Sequence, residues 1–225
     1  MDFAALQTQQ IELAARAINT GSLAQVQRFV ALDMSSQVLI RPGQRLELEA
    51  PLFAAAVVFE RGNPKPLEVA TAMLEPSVPY KTGFLAFREA PVLLKALEGL
   101  RLGFDMLWLD GHGILHPRRC GIATHLGVLL GKPALGVAKT PLIGTHDELG
   151  LEAGSSEAIR VASETLGYAL RLRAKTKPVY VSSGHLCSGE AALEFVRECG
   201  DGFKLPWPTR GAHQAANEAR NNSSV

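Results

Sequence analysis

FDMLWLD, residues 104–110, is a short apolar run that stops on a carboxylate. A strand buried on both faces has this composition, because crossover helices cover both sides of a parallel sheet. Upstream, Leu93, Leu94, Leu97 and Leu100 recur at helical spacing over 91–100, with Pro91 in the first turn. Downstream, residues 118–130 read as a helix, with Pro117 just before it and Gly131 just after it. ALGVA at 134–138 is then a further buried strand.

Three strands precede this unit: RFVALDM at 28–34, FAAAVVF at 53–59 and LEVATAML at 67–74. The turn-like RGNPKP makes the last two a hairpin, and Pro42-Gly43 marks a turn in the polar segment before them. The three form an antiparallel meander, and the helix-linked strands add to it in parallel by right-handed crossovers. Residues 2–19 read as a leading helix with Phe3, Leu6, Leu13, Ala14 and Ile18 on its buried side. In the last third, 167–173 alternate and pair with PVYVSS at 178–183. A helix near 188–199, the segment LPWPTR and a short final helix follow. The fold class is α/β: a ribonuclease-H-like mixed sheet, an antiparallel three-strand meander plus parallel strands, flanked by helices, with a C-terminal hairpin and helices. Residues 1–216 are expected to form a single domain and 217–225 a flexible tail.

Composition narrows the function. The 225 residues are 47% hydrophobic and 20% charged, which excludes a disordered chain and allows a full core. Net charge is +1, so polyanion binding must come from local patches and not from a global field. The densest basic stretch, Arg171, Arg173, Lys175 and Lys177, reads as a solvated face. Cys120, Cys187 and Cys199 form no C-x-x-C pair, which argues against a thiolate zinc site and fits a reducing compartment. The N-terminus has no basic start followed by an apolar run, and no stretch of about 20 apolar residues exists. The expectation is a cytoplasmic protein with no membrane partner.

Two carboxylates stand out. Asp33 lies inside the first apolar strand, and Asp110 ends the central one. As parallel neighbours, these strands would aim both acids into one crevice at the strand ends, where α/β sheets place ligands. Glu89, just before Pro91, opens the helix that packs on the sheet. Neighbouring buried carboxylates repel unless a cation intervenes, and Mg²⁺ favours such oxygen ligands. The bland reading makes each Asp a cap or turn residue. DGHGILHPRR at 110–119 adds Gly111 and Gly113, which permit close backbone approach. It also places His116, Arg118 and Arg119 at a helix start, where free N–H groups meet phosphate. His112 with His116 has zinc spacing, but Gly113 and Pro117 argue against one continuous helix there. His125 reads as a packed helix residue.

GFLAFREAP at 83–91, DGHGILHPRR at 110–119, GIATHLGVLLGKPALGVAK at 121–139, VYVSSGH at 179–185 and LPWPTRGAH at 205–213 together resemble the endonuclease V family. The similarity runs from about residue 28 to 215. The resemblance implies a ribonuclease-H-like fold. It also implies a metal-dependent endonuclease, using Mg²⁺ with Mn²⁺ able to substitute. Such an enzyme nicks DNA at the second phosphodiester bond 3′ to deoxyinosine, leaving 3′-hydroxyl and 5′-phosphate ends, in DNA repair. By position Asp33, Glu89 and Asp110 match the family's metal-binding carboxylates. His213 matches its fourth active-site position, Lys139 a lysine near the scissile phosphate and His116 a histidine beside the site.

PYKTG at 79–83 resembles the family's wedge, with Tyr80 and Gly83 kept and Thr82 where the second proline stands. That loop is expected to be less rigid without its proline. Gly83, Leu85, Gly111 and Ile122 match a pocket for the flipped base. Ala31-Leu32-Asp33 departs from the family's usual approach to the first aspartate, and the segment 35–51 is atypical. The partner implied is nucleic acid, deaminated DNA or inosine-containing RNA, and the protein is expected to act as a monomer. Two other readings stay open: a non-catalytic nucleic-acid-binding module of this fold, and a metallohydrolase acting on small phosphoesters.

Overall fold

The computed structural model describes residues 1–36 and 50–223. Three strands come first after helix α1 (Phe3–Ala15): β1 (Arg28–Ser36), β2 (Leu52–Glu60) and β3 (Glu68–Leu74). Helix α2 (Leu85–Glu98), β4 (Met106–Asp110), α3 (Ile122–Leu130) and β5 (Ala134–Ala138) follow. The chain ends with β6 (Ser156–Val161), β7 (Glu164–Leu170), β8 (Val179–His185), α4 (Gly189–Glu198) and α5 (Trp207–Asn222). Among the described residues, eight strands join one sheet in the order β3-β2-β1-β4-β5-β8-β7-β6. The first three are antiparallel neighbours, β4 lies parallel beside β1, and β5 lies parallel beside β4. The meander and its parallel extension are therefore as the sequence implies.

Each central strand buries both faces, one against each of two cores. Phe29, Ala31, Met106, Trp108 and Val137 face α4 and α5, where Phe195, Val196, Trp207 and Ala212 meet them. Val30, Leu32, Leu107 and Leu109 face α2 and α3, packing on Ala90, Leu93, Ile122 and Leu126. This alternation decides where every strand-borne side chain of the site points.

Several expectations change. Helix α2 starts at Leu85, and Pro91 lies inside it, so Glu89 sits within the helix and does not open it. Ala86, Ala90, Leu93 and Ala96 are all buried along α2, and burial on the sheet outweighs the bond a proline removes. Helix α3 starts at Ile122 and not at Arg118, because Arg119 takes a left-handed φ of 55° that no helix continues through. The first helix stops at Ala15, and Ile18 is exposed. There the chain turns towards β8: the Ile18 amide donates to His185 Nδ1 at 3.2 Å, and Ser183 Oγ donates to Asn19 Oδ1 at 3.0 Å. Strand β6 was not anticipated, since only Ile159 of SEAIRV is buried.

Helix α5 begins inside LPWPTR and runs to Asn222, so residues 217–222 are helical where a tail is expected. Ser35 Oγ donates to Asn217 Oδ1 at 2.8 Å and ties that turn to β1. Arg171, read as part of a solvated face, is buried and donates to the carbonyls of Gly150 and Thr176. The Pro42-Gly43 turn, and most of the atypical 35–51 segment, lie outside the described residues.

Candidate active site and base pocket

Leu32 and Leu109 are register partners across the parallel pair β1 and β4. Asp33 and Asp110 come one step later, so their carboxylates emerge side by side. Both point to the α5 side of the sheet, like Ala31 and Trp108 two residues before them. Helix α5 meets them with His213, whose Nδ1 donates to Asp33 Oδ2 at 2.8 Å. One ligand atom each from Asp33, Asp110 and His213 lies within 4.8 Å of the others. On β5, Val137 is the register partner of Asp110. Lys139, two residues on, puts Nζ 2.5 Å from Asp110 Oδ2.

Glu89 is buried on α2 and lies close enough to both aspartates to feel their charge, but it is outside the 4.8 Å group. Its carboxyl is pushed up from 4.5 to about 8, first by burial and then by Asp33 and Asp110. Asp110 is pushed up to about 6 by burial and by Asp33, with Lys139 opposing. Burial pulls the Lys139 ammonium down, but Asp110 outweighs it and the net shift is upward. His213 is also raised, chiefly by its hydrogen bond to Asp33.

These groups fit a divalent cation. The donor set is rich in hard carboxylate oxygens with one imidazole. The upward shifts come first from burial and then from the neighbouring acids, so these carboxyls ionise at a cost. A cation would relieve that cost, and a lone lysine does so only in part.

Gly111 follows Asp110 directly and opens a cavity of about 210 Å³. Tyr80, Gly83, Leu85, His116 and Ile122 also line it, so the chain brings together all six residues matched to substrate recognition. Tyr80 is exposed. Gly83 holds a left-handed φ of 80°, which favours a glycine. His116 is buried and neutral, with burial pulling it down to about 4. Both its nitrogens are engaged: Nε2 donates to the Gly83 carbonyl at 3.1 Å, and Nδ1 accepts from the Arg118 amide at 3.1 Å.

His112 does not pair with His116. Its Nε2 donates to the Thr140 carbonyl at 3.1 Å, and burial pulls it too down to about 4. His125 packs edge-on against Phe87 with ring centres 5.0 Å apart, as a packed helix residue should. With α3 starting at Ile122, Arg118 and Arg119 are loop residues. Arg118 turns inward to the Gly83 carbonyl, and Arg119 pairs with Glu164 at 2.7 Å. Sequence reasoning missed Gln10 and Thr140 to Leu142 on the cavity wall. Gln10 carried one faint signal: it sits four residues after Leu6 and three before Leu13, a polar residue on the apolar side of α1.

Comparison with known proteins agrees with the fold. The family model for endonuclease V matches residues 12–214. Endonuclease V of Roseiflexus castenholzii is 47% identical over 167 residues, covering 74% of this chain and 75% of the relative. The crystal structure of endonuclease V from Streptomyces avermitilis superposes with a TM-score of 0.86 at 32% identity, over 99% of this chain and 94% of that one. Ciona intestinalis endonuclease V, solved with a 24mer DNA containing an inosine followed by a ribo-adenosine, superposes with a TM-score of 0.82 at 28% identity. That match covers 98% of both chains.

Proposed function

Because this chain belongs to the endonuclease V family, we propose that its carboxylate crevice cuts a phosphodiester bond while the adjoining cavity holds a flipped inosine base. The protein is an inosine-directed endonuclease, and its partner is nucleic acid. The observation that carries the site assignment is the adjacency of Asp110 and Gly111: one ends the metal-type cluster, and the other lines the cavity.

Asp33, Asp110 and His213 would hold a divalent cation, Mg²⁺ or Mn²⁺, with Glu89 behind them as a third acid. When bound, the cation supplies Lewis-acid polarisation of the phosphoryl oxygen and lowers the pKa of the attacking water. Asp33 and Asp110 present their carboxylates side by side at the strand ends, where they would hold that charge. The Lys139 ammonium lies against Asp110 and offers positive charge to the oxygens of the scissile group as negative charge builds there. His213 lies hydrogen-bonded to Asp33, which holds its ring at the edge of the crevice. The cavity is small for a drug-sized ligand and on the scale of one flat ring system. Extruding a base into it costs a few kcal/mol, less for a weakly paired one, which favours inosine. Exposed Tyr80 is placed to stack on bases left in the helix.

Cleavage falls at the second phosphodiester 3′ to the lesion and leaves 3′-hydroxyl and 5′-phosphate ends. The residues named for the site all come from one chain, and action as a monomer is part of this proposal. Three free, buried cysteines support a reducing compartment, the cytoplasm. Among the described residues no helix is long and apolar enough to cross a membrane.

End-labelled duplex DNA with one deoxyinosine tests this, with Mg²⁺, with Mn²⁺ and with chelator. One metal-dependent nick 3′ to inosine, absent from undamaged duplex, is expected. Since the Ciona neighbour was solved with a ribo-adenosine after its inosine, an inosine-containing single-stranded RNA belongs beside it. No cutting of either strand would leave a binding module.

A further inference from the structure

Gln10 is fully buried, on a helix where Leu13 is the only other buried residue. A buried amide is costly unless its polar atoms find partners. Here all of them do. Its Nε2 donates to the Gly83 carbonyl at 3.1 Å and to the Cys120 carbonyl at 2.6 Å. Its Oε1 accepts from Arg118 Nε at 2.5 Å. With two donors and one acceptor engaged, the amide has one orientation.

Those partners belong to two loops beside the cavity: Gly83 and Cys120 both line it, and Arg118 lies against Gly83. Gly83 ends the loop that carries Tyr80, whereas Arg118 and Cys120 belong to the loop that runs into α3. The Gly83 carbonyl is the meeting point, accepting from Gln10, from His116 Nε2 and from Arg118 Nη2 at 2.5 Å. Helix α1 grips the same loop elsewhere. Phe3 packs edge-on against Phe84 at 5.3 Å, and the Lys81 ammonium sits 4.0 Å over the Phe3 ring. Thr82 leaves this loop without the backbone restraint of a proline, so its position depends on such contacts.

We propose that Gln10 is a positioning residue for base selection: from outside the sheet, it ties the Tyr80 loop to the loop that leads into α3 and so sets how the two border the cavity. This rests on the reading that the cavity takes the flipped base. Gln10 does no chemistry, and so its loss falls on selection and not on turnover.

The test compares wild type with Gln10→Met, of similar length but without the three bonds, on deoxyinosine duplex and matched undamaged duplex. KM for the inosine strand is expected to rise about tenfold while kcat falls less than about threefold, and discrimination between the two duplexes narrows about tenfold. Adding Thr82→Pro to Gln10→Met restrains the same loop from its backbone and is expected to restore most of that discrimination. Wild-type KM and discrimination in Gln10→Met would overturn the inference. So would a fall in kcat alongside the thermal midpoint that Thr82→Pro leaves uncorrected. Should Gln10→Met not fold, Gln10→Glu turns an acceptor towards two carbonyls; wild-type discrimination in that variant overturns the inference equally. Amide exchange over residues 80–84 and 118–121 reads the clamp without cleavage: faster exchange in both segments of a variant supports it, and unaltered exchange refutes it. A wild-type protein that leaves inosine strands intact sinks the functional reading alone, and exchange then judges the clamp.

Discussion

Asp110 carries two opposed demands. Burial and Asp33 push its carboxyl up to about 6, while Lys139, 2.5 Å away, pulls it down. Asp110→Ala should abolish metal-dependent cutting to the limit of detection. Far-ultraviolet circular dichroism and the thermal midpoint should stay near wild type, because one of the crowded acids is gone. Full retained activity would remove Asp110 from the site. Lys139→Ala should act differently. It removes charge stabilisation at the phosphate and leaves the cavity alone. Single-turnover cleavage should slow by about 10² to 10³-fold, with binding of the inosine duplex nearly kept. Equal losses in binding and rate would place the lysine in recognition instead.

Helix α5 is the element that brings His213 to the strands, and its seat is a buried polar bond. Trp108 Nε1 on β4 donates to Thr209 Oγ1 on α5 at 2.9 Å. Thr209→Val keeps the shape and leaves the indole N–H unpaired, which should cost about 1–3 kcal/mol in urea unfolding. An unchanged unfolding midpoint would show that apolar packing alone seats the helix. The sequence made elements legible in proportion to their burial. The apolar runs at 28–34 and 104–109 announced β1 and β4, and with them the strand ends that bear the acids. SEAIRV buries one side chain and gave no such signal. Pro91 misled because a proline is a local rule, while α2 is held by packing along its whole length. The Gln10 clamp was out of reach for a related reason: its partners Gly83 and Cys120 lie 73 and 110 residues away, and no local pattern encodes a contact that only the folded sheet creates.

At the scale of the whole molecule, the acid cluster makes stability depend on pH and on metal. Glu89 ionises near 4.5 when unfolded and at about 8 when folded. A raised carboxyl favours the folded state fully below pH 4.5, and that contribution is lost as pH rises towards 8. Without divalent cation, the thermal midpoint should therefore fall across this window. Mg²⁺ or Mn²⁺ should raise it, and raise it more at pH 8 than at pH 5, because cation binding favours the ionised acids. A metal effect that is flat with pH, or equally present in Asp110→Ala, would assign the binding elsewhere. The adjacency of Asp110 and Gly111 has one more outcome. On the proposed reading the cutting and reading centres share a peptide bond at the end of the central strand, and so the protein would work as a ruler with its zero mark built into the sheet. Changes in the surrounding loops can alter which base is accepted, but the interval from that base to the severed bond stays with the strand.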